Sequence, residues 1–214
     1  MSLKIKICGM REPDNIIEVA ELMPDLMGFI FYPFSPRYAN ETLYPEILAR
    51  LSPAIRKTGV FVNTDIEMII RSVSKYSLDI VQLHGNETPD ICRLLNERGI
   101  PVIKAFNIKD SISFRSCLDF ISCTDYFLFD SCTSDHGGSG SKFNWEELNK
   151  YDLGHPFFLS GGITPNDITN ILAIDNPEFY GIDLNSRFEI KPGKKDPEIL
   201  KQFISEIRFN TKSL

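Results

Sequence analysis

The chain has 214 residues, of which 43% are hydrophobic and 24% are charged; this composition is typical of a globular protein, and the length suits one large domain. The formal net charge of −6 argues against a general nucleic-acid-binding protein, because a phosphate backbone requires a basic face, although a local positive pocket could still bind a small anion. The five cysteines include no Cys-x-x-Cys pair, which argues against a disulfide framework or a zinc knuckle and indicates free thiols in a reducing cytoplasm.

Eight short apolar runs recur along the chain and predict buried strands. The first alternates apolar residues with lysines, so the N-terminus predicts a strand and not a signal peptide. Several others are continuous, as in parallel strands that are buried on both faces, and none approaches the ~20 apolar residues of a membrane helix. In chain order the predicted strands are Lys4–Cys8, Met27–Phe31, Gly59–Val62, Ile80–Leu83, Pro101–Ala105, Tyr126–Asp130, Phe157–Ser160 and Tyr180–Leu184.

Helical patterns lie between these runs. Asp65–Tyr76 and Asp196–Ile207 each carry an apolar stripe with the spacing of one helix face, and a shorter helix is predicted at Asn144–Tyr151. Proline at the first helical position leaves no extra donor unpaired, so a capping residue followed by proline predicts a helix start. Such starts occur at Thr88-Pro89, Thr164-Pro165 and Asp196-Pro197.

Strands and helices that alternate in this way predict a fold of the α/β class. Eight units in 214 residues give about 27 residues per unit, near the lower size limit of a (β/α)8 TIM barrel. The alternative is an open, doubly wound sheet, but no Gly-x-Gly-x-x-Gly follows the first strand. We therefore expect a single-domain (β/α)8 TIM barrel over residues 1–214.

Glycines after the seventh strand indicate a phosphate site. Gly161-Gly162 precedes the helix start at Thr164-Pro165, and after strand 7 of a barrel this arrangement forms half of a phosphate site, with the loop after strand 8 supplying the rest. The alternative is an ordinary glycine turn. A second cluster, Gly137-Gly138-Ser139-Gly140, is either a flexible loop over the site or a surface linker.

Four side chains at the predicted strand ends could carry chemistry. Cys8 is either a small buried apolar residue or a thiol that acts as base or nucleophile. Asp130 closes an apolar strand, which favours loop capping or proton chemistry. Arg37 is either a solvated arginine or the partner of a substrate carboxylate. His84 could line the rim, donate to substrate or bind metal, but a zinc site of Cys8, His84 and Asp130 lacks any short ligand spacing.

Motifs along nearly the whole chain resemble those of the phosphoribosylanthranilate isomerase family. None is decisive alone, but their order and spacing are specific. They are Lys6-Ile7-Cys8-Gly9, Phe31–Tyr38, Gly59–Asn63, Val81–Gly85, Leu128–Ser131, Gly137–Gly140 with Phe143-Asn144-Trp145, Ser160-Gly161-Gly162, Gly181–Arg187 and Pro192–Asp196.

The resemblance implies an Amadori rearrangement in tryptophan biosynthesis with neither metal nor cofactor. It implies that Asp130 is the general acid that opens the ribose ring and that Cys8 is the general base that removes the C2′ proton. It places Arg37 near the anthranilate of a phosphorylated aminosugar. The other implied residues are Gln82, His84 and Asp183 as lining residues, and Gly161, Gly162, Asn185, Ser186 and Arg187 at the phosphate.

Two departures from the family pattern concern loops. The family commonly has a small residue and then glycine where this chain has Ser186-Arg187, and the first loop, Met10–Pro13, lacks a threonine often found there. The Arg187 side chain could reach the phosphate, brace its loop against Glu189 or point to solvent. We expect the phosphate contact, because glycine amides leave much of the phosphate charge uncompensated.

Two other classes of function remain open on the sequence alone. Another phosphosugar barrel is one: the histidine-pathway aminosugar isomerase would have an aspartate at Cys8, and indole-glycerol-phosphate synthase would need a rim lysine that the quoted rim motifs do not offer. A non-catalytic phosphosugar-binding barrel is the other, and retention of Cys8 and Asp130 argues against it. We expect a cytoplasmic enzyme, monomeric or homodimeric, that binds no nucleic acid or membrane.

Overall fold

A computed structural model describes residues 3–108, 114–131 and 143–211. Within them, eight parallel strands form a closed barrel in chain order, and the eighth strand pairs with the first. The predicted (β/α)8 fold is therefore confirmed. The strands are β1 Lys4–Ile7, β2 Leu26–Ile30, β3 Arg56–Phe61, β4 Ile80–Leu83, β5 Val102–Ile108, β6 Tyr126–Ser131, β7 Phe157–Leu159 and β8 Phe179–Leu184.

Helices connect the strands, and most of the predicted starts are found. Asp65 caps its helix by accepting from Glu67 N, whereas the predicted start at Thr164-Pro165 opens a 3-10 turn. The α-helices are α1 Pro13–Ala20, α2 Pro45–Leu48, α3 Ile66–Tyr76, α4 Pro89–Asn96, α5 Ile168–Leu172 and α6 Pro197–Thr211. The 3-10 segments are Phe114–Cys123, Trp145–Lys150, Pro165–Asp167 and Ser186–Phe188. Within the described part of the chain, no helix is long and apolar enough to cross a membrane.

Two strands extend three residues beyond their predicted bounds, at points where polar residues interrupt the apolar pattern. β3 begins at Arg56 rather than Gly59, and β5 continues to Ile108 through Asn107. Parallel pairing satisfies the backbone N–H and C=O groups of these residues. Such hydrogen bonds do not require an apolar side chain. A search for apolar runs therefore shortens both strands.

The barrel separates an outer apolar core from a smaller inner one. The outer core packs the strands against the helices, and it holds most of the buried aromatic side chains. Because side chains alternate across a strand, every second residue faces the barrel interior. The inner apolar core consists of Leu26, Ile80, Ile103, Ala105, Leu128 and Phe158.

A two-stranded antiparallel hairpin follows β8 and was not predicted as an element. It pairs β9, Glu189–Lys191, with β10, Lys194–Lys195. Asn15 on α1 fastens it: Lys195 N donates to Asn15 Oδ1 at 2.7 Å, and Asn15 Nδ2 donates to Lys195 O at 3.0 Å. The hairpin thereby lies against the first unit of the barrel, beside the strand that leads into Cys8.

Candidate active site

The predicted acid, Asp130, lies on β6 next to His84, which follows β4. His84 Nε2 is 3.1 Å from Asp130 Oδ2, and Gln82 Nε2 is 2.9 Å from His84 Nδ1. When the Gln82 amide donates to Nδ1, the proton of the neutral ring lies on Nε2, the nitrogen next to Asp130. Oδ2 is therefore the carboxyl oxygen beside the imidazole, and Oδ1 lies beside Gly161.

Gly161 leaves the space that the free oxygen of Asp130 needs. It has φ +85°, and a Cβ built on it would lie 2.5 Å from Asp130 Oδ1. A side chain at this position would therefore collide with the carboxyl group as well as strain the backbone. The first glycine of the predicted phosphate motif consequently serves the acid group too.

Cys8 follows β1 at the same end of the barrel, and its side chain is buried. Burial, the largest effect, and the charge of Asp183 raise the pKa of the thiol; Lys6 and Lys195 act in the opposite direction, but the net pKa is raised. Of the two cations, Lys6 has the larger effect. Two cations near the sulfur therefore favour the thiolate in an environment that otherwise disfavours charge.

Lys6 was not identified from the sequence as a site residue, yet its side chain is fully buried. Its Nζ lies 2.8 Å from Oδ2 of the equally buried Asp183. Burial lowers the pKa of Lys6, but Asp183 and Cys8 outweigh it, so the net pKa is raised. Period-two alternation could have found Lys6, because it lies two residues before Cys8 on one strand and faces the same side.

Asp183 and Gln82 present free acceptor oxygens to the barrel interior. Burial raises the pKa of Asp183 despite the opposing effect of Lys6. Asp183 Oδ1 and Gln82 Oε1 are buried, and neither has a hydrogen-bond partner among the described residues. Unpaired buried acceptors are costly, and a bound molecule with hydroxyl groups would satisfy both.

Arg37 is held by Glu189 of the hairpin. Arg37 Nη2 is 2.6 Å from Glu189 Oε2, and Nε is 2.9 Å from Oε1 and 3.1 Å from Oε2. Lys195 Nζ, also buried, donates to Glu189 Oε1 at 2.7 Å and to Asn185 Oδ1 at 2.8 Å. From the sequence, Glu189 is expected only as a possible partner of Arg187, and Lys195 is not identified as a site residue.

The loop after β8 leaves Arg187 at the surface. Ser186 and Arg187 are exposed, and Glu189 accepts from Arg37, Lys195 and Gly193 N. The alternative in which Arg187 braces its loop against Glu189 is therefore not found among the described residues, and the expected phosphate contact stays a prediction. Gly161 and Gly162 both have positive φ, so their backbone conformation is one that favours glycine.

Two further expectations concern the site. Gly137–Gly140 lies outside the described residues. Within residues 3–108, 114–131 and 143–211, no group of three or more His, Cys, Asp or Glu side chains is arranged to hold a metal ion. Cys8, His84 and Asp130 therefore do not form the zinc cluster that was considered as an alternative.

Known proteins match the chain along almost its whole length. A family model described as N-(5′phosphoribosyl)anthranilate (PRA) isomerase matches residues 5–206. The N-(5′-phosphoribosyl)anthranilate isomerase of Parabacteroides distasonis is 47% identical over 206 residues, which cover 95% of this chain and 92% of that protein.

Solved structures agree with that match. The phosphoribosyl anthranilate isomerase from Thermotoga maritima is 34% identical with a TM-score of 0.83, and the alignment covers 99% of this chain and 100% of that one. A phosphoribosyl anthranilate isomerase in complex with reduced 1-(o-carboxyphenylamino)-1-deoxyribulose 5-phosphate is 32% identical with a TM-score of 0.81, at the same coverage.

Proposed function

This chain belongs to the N-(5′-phosphoribosyl)anthranilate isomerase family, and we propose how its own side chains carry out that family's reaction. The reaction is the Amadori rearrangement of N-(5-phosphoribosyl)anthranilate to 1-(2-carboxyphenylamino)-1-deoxyribulose 5-phosphate in tryptophan biosynthesis. Proton transfer is needed at the ring oxygen and at C2′ of the sugar. The proposal assigns one side chain to each position.

Asp130 is the general acid for ring opening. Its protonated carboxyl group donates to the ring oxygen while the C1′–O bond breaks, and the nitrogen lone pair forms the C1′=N double bond of a protonated imine. His84 Nε2 lies 3.1 Å from Oδ2 of Asp130, and a ring N–H at that position favours protonation of the carboxyl group at Oδ1. A carboxyl group fixed by one oxygen transfers its proton from a defined position, and this is what general acid catalysis requires.

Cys8 is the general base for the second step. Its thiolate removes the C2′ proton, the electron pair of that C–H bond forms C1′=C2′, and the imine nitrogen accepts the displaced electrons. The resulting enolamine becomes the ketone when C1′ gains a proton and the C2′ hydroxyl loses one. Lys6 and Lys195 stabilise the thiolate, and the protonated imine is itself the electron sink.

Charged and polar groups at the same rim bind the substrate. Arg37 binds the anthranilate carboxylate, and Asp183 and Gln82 accept from sugar hydroxyls through their free oxygens. The glycine amides of Gly161-Gly162 and the loop Asn185–Arg187 hold the phosphate. The exposure of Arg187 is compatible with a contact to a phosphate at the mouth of the barrel, which stays a prediction.

The site's setting in the cell is part of the proposal. We propose that the whole chain is one domain that acts in the cytoplasm as a monomer or homodimer, without nucleic acid. Two observations support this: the cysteines that the structure assigns are free, and the net charge is negative. Reduced thiols fit a reducing compartment, and an acidic protein lacks a basic face for nucleic acid.

The observation that carries the proposal is that Cys8 with Lys6, and Asp130 with His84, lie at the carboxyl ends of strands of one barrel. We expect Cys8→Ala and Asp130→Asn each to lower kcat at least ~100-fold, the low end for loss of a general acid or base. Decay of substrate fluorescence measures turnover. Binding of the reduced product analogue, measured by calorimetry, should persist in both variants.

Asp152→Asn is the matched control, because Asp152 is an exposed aspartate outside the site. It should retain the kcat of the unmodified enzyme. Turnover near that of the unmodified enzyme in Cys8→Ala or Asp130→Asn would remove that residue from its assigned role.

A further inference from the structure

The hairpin after β8 brings two charged side chains to the rim of the barrel. Glu189 lies on β9 and Lys195 on β10, and their side chains form an ion pair of 2.7 Å that is almost completely buried. Lys195 acts on the Cys8 thiol through its charge, but Glu189 has no role in the chemistry proposed for Asp130 and Cys8. A buried ion pair is weak evidence for stability, because desolvation offsets much of its attraction, and this raises the question of what the pair does here.

The geometry of Arg37 answers that question. Glu189 engages Nε and Nη2, which form the side edge of the guanidinium. Arginine has five N–H donors in one plane, so the end edge, formed by Nη1 and the second hydrogen of Nη2, remains available. That edge can bind a second carboxylate through two parallel hydrogen bonds.

The backbone of Gly9 restricts Arg37 further. A Cβ built on Gly9 would lie 2.6 Å from Arg37 Cδ and 2.7 Å from Asn185 Oδ1. Both side chains therefore pack directly on the backbone of the residue that follows Cys8. The arginine is fixed at two points, by this packing along its stem and by Glu189 at its head.

The charges of the cluster suit one anionic group. Burial lowers the pKa of Lys195, and the neighbouring Glu189 opposes that effect. With Arg37 and Lys195 as cations and Glu189 as an anion, the cluster carries one net positive charge. Burial raises the pKa of Glu189, but Arg37 and Lys195 outweigh it and the net pKa is lowered. The carboxylate therefore stays ionised, and the remaining positive charge matches a single substrate carboxylate.

We propose that Glu189 is a positioning residue for substrate recognition, which holds Arg37 by its side edge so that the end edge meets the carboxylate of the anthranilate ring. Lys195 holds Glu189 in turn and connects it to Asn185. Fixing an arginine before binding reduces the side-chain entropy lost when the substrate arrives. The inference depends on the proposed function, in which Arg37 binds that carboxylate.

The test compares the natural substrate with N-(5-phosphoribosyl)aniline, which lacks only the carboxylate. The preference of an enzyme is the ratio of its kcat/KM values for the two, with product measured by chromatography. We expect Glu189→Gln to lower the preference at least ~10-fold, mainly through a higher KM for the natural substrate. Turnover of the aniline analogue should change little, which also shows that the variant is folded.

Glu12→Gln is the matched control, because Glu12 contacts the same hairpin through a longer, more exposed pair with Lys191 at 3.8 Å. It should leave the preference unchanged. If Glu189→Gln does not fold, Glu189→Asp keeps the charge but withdraws the carboxylate, and it should lower the preference in the same direction.

Arg37→Met separates the inference from the proposed function. If it abolishes the preference while Glu189→Gln keeps it, Arg37 binds the carboxylate and the role of Glu189 is overturned. An equal loss of kcat/KM on both substrates in Glu189→Gln would also overturn it, since a structural defect does not distinguish them. If Arg37→Met keeps the preference, the assigned role of Arg37 fails, and the inference fails with it.

Discussion

At the scale of single residues, the site depends on charges that are placed in a water-poor interior. Lys6 and Asp183 pair at 2.8 Å with almost no exposure, and the charge of Lys6 opposes the effect of burial on the pKa of the Cys8 thiol. Burial of an unpaired ionisable group would shift its pKa until the group became neutral. The pair keeps a cation near the sulfur, and we expect Lys6 to favour the thiolate of the proposed base.

We expect Lys6→Met to raise the pKa of the Cys8 thiol, because it removes a cation and leaves the negative charge of Asp183 nearby. A base works only when deprotonated, so the acidic limb of the kcat/KM profile should move to higher pH. The pH dependence of Cys8 alkylation measures the same ionisation directly. Lys4→Met is the matched control, since Lys4 lies on the same strand but pairs with Asp25. An acidic limb at the same pH in Lys6→Met and the unmodified enzyme would refute this role.

At the scale of elements, a buried ion pair and backbone hydrogen bonds connect neighbouring strand–helix units close to His84. Lys104 on β5 donates to Gly85 O at 2.7 Å and to Glu87 Oε2 at 3.0 Å, and Glu87 Oε1 accepts from Asn63 N at 2.8 Å. The loop that follows His84 is thereby fixed to the strands on either side. His84 can hold Asp130 in place because its own loop is held.

We expect Lys104→Met to destabilise the protein by roughly 3–5 kcal/mol, because it leaves the carboxylate of Glu87 buried without its cation. The double variant Lys104→Met/Glu87→Gln should recover part of that loss. Urea unfolding measures both free energies. Lys57→Met, which breaks the more exposed pair with Asp79, should cost only about 1 kcal/mol or less. Equal stability of the single and double variants would contradict the assigned role of Lys104, which is to compensate the buried charge of Glu87.

At the scale of the whole molecule, closure of the barrel assembles the site. β1 and β8 are joined by parallel pairing that sets Lys6 opposite Asp183, although the two residues are 177 positions apart. The strands deliver their polar residues to one rim, and the strand bodies remain packed with apolar side chains. One closed sheet therefore supplies the proposed acid, the proposed base and two of the proposed substrate-binding residues, Gln82 and Asp183.

We expect exhaustive treatment with EDTA to leave turnover unchanged, because the protonated imine accepts the electrons of the C2′–H bond without a Lewis acid. Turnover before and after chelation, and after addition of divalent cations, measures this. Activity that is lost with EDTA and restored by one cation would require a metal in the mechanism.

The sequence by itself determined the fold and the two proposed catalytic residues. Apolar runs, helix stripes and proline starts are local signals, because each reflects burial or capping within a few neighbouring residues. Their order predicts the barrel, and the barrel places Cys8 and Asp130 at strand ends that face one rim. The resemblance to a family then assigned their chemistry. The structure confirms the fold and leaves those roles as proposals.

Only the tertiary structure decided which charged groups meet. Lys6 is one of two lysines in an alternating strand, and Glu189 and Lys195 lie in a segment with no strong strand pattern. Their partners Asp183 and Arg37 come from other units of the chain. Contacts of this kind depend on strand register and barrel closure, which join residues far apart and leave no periodic trace near either one.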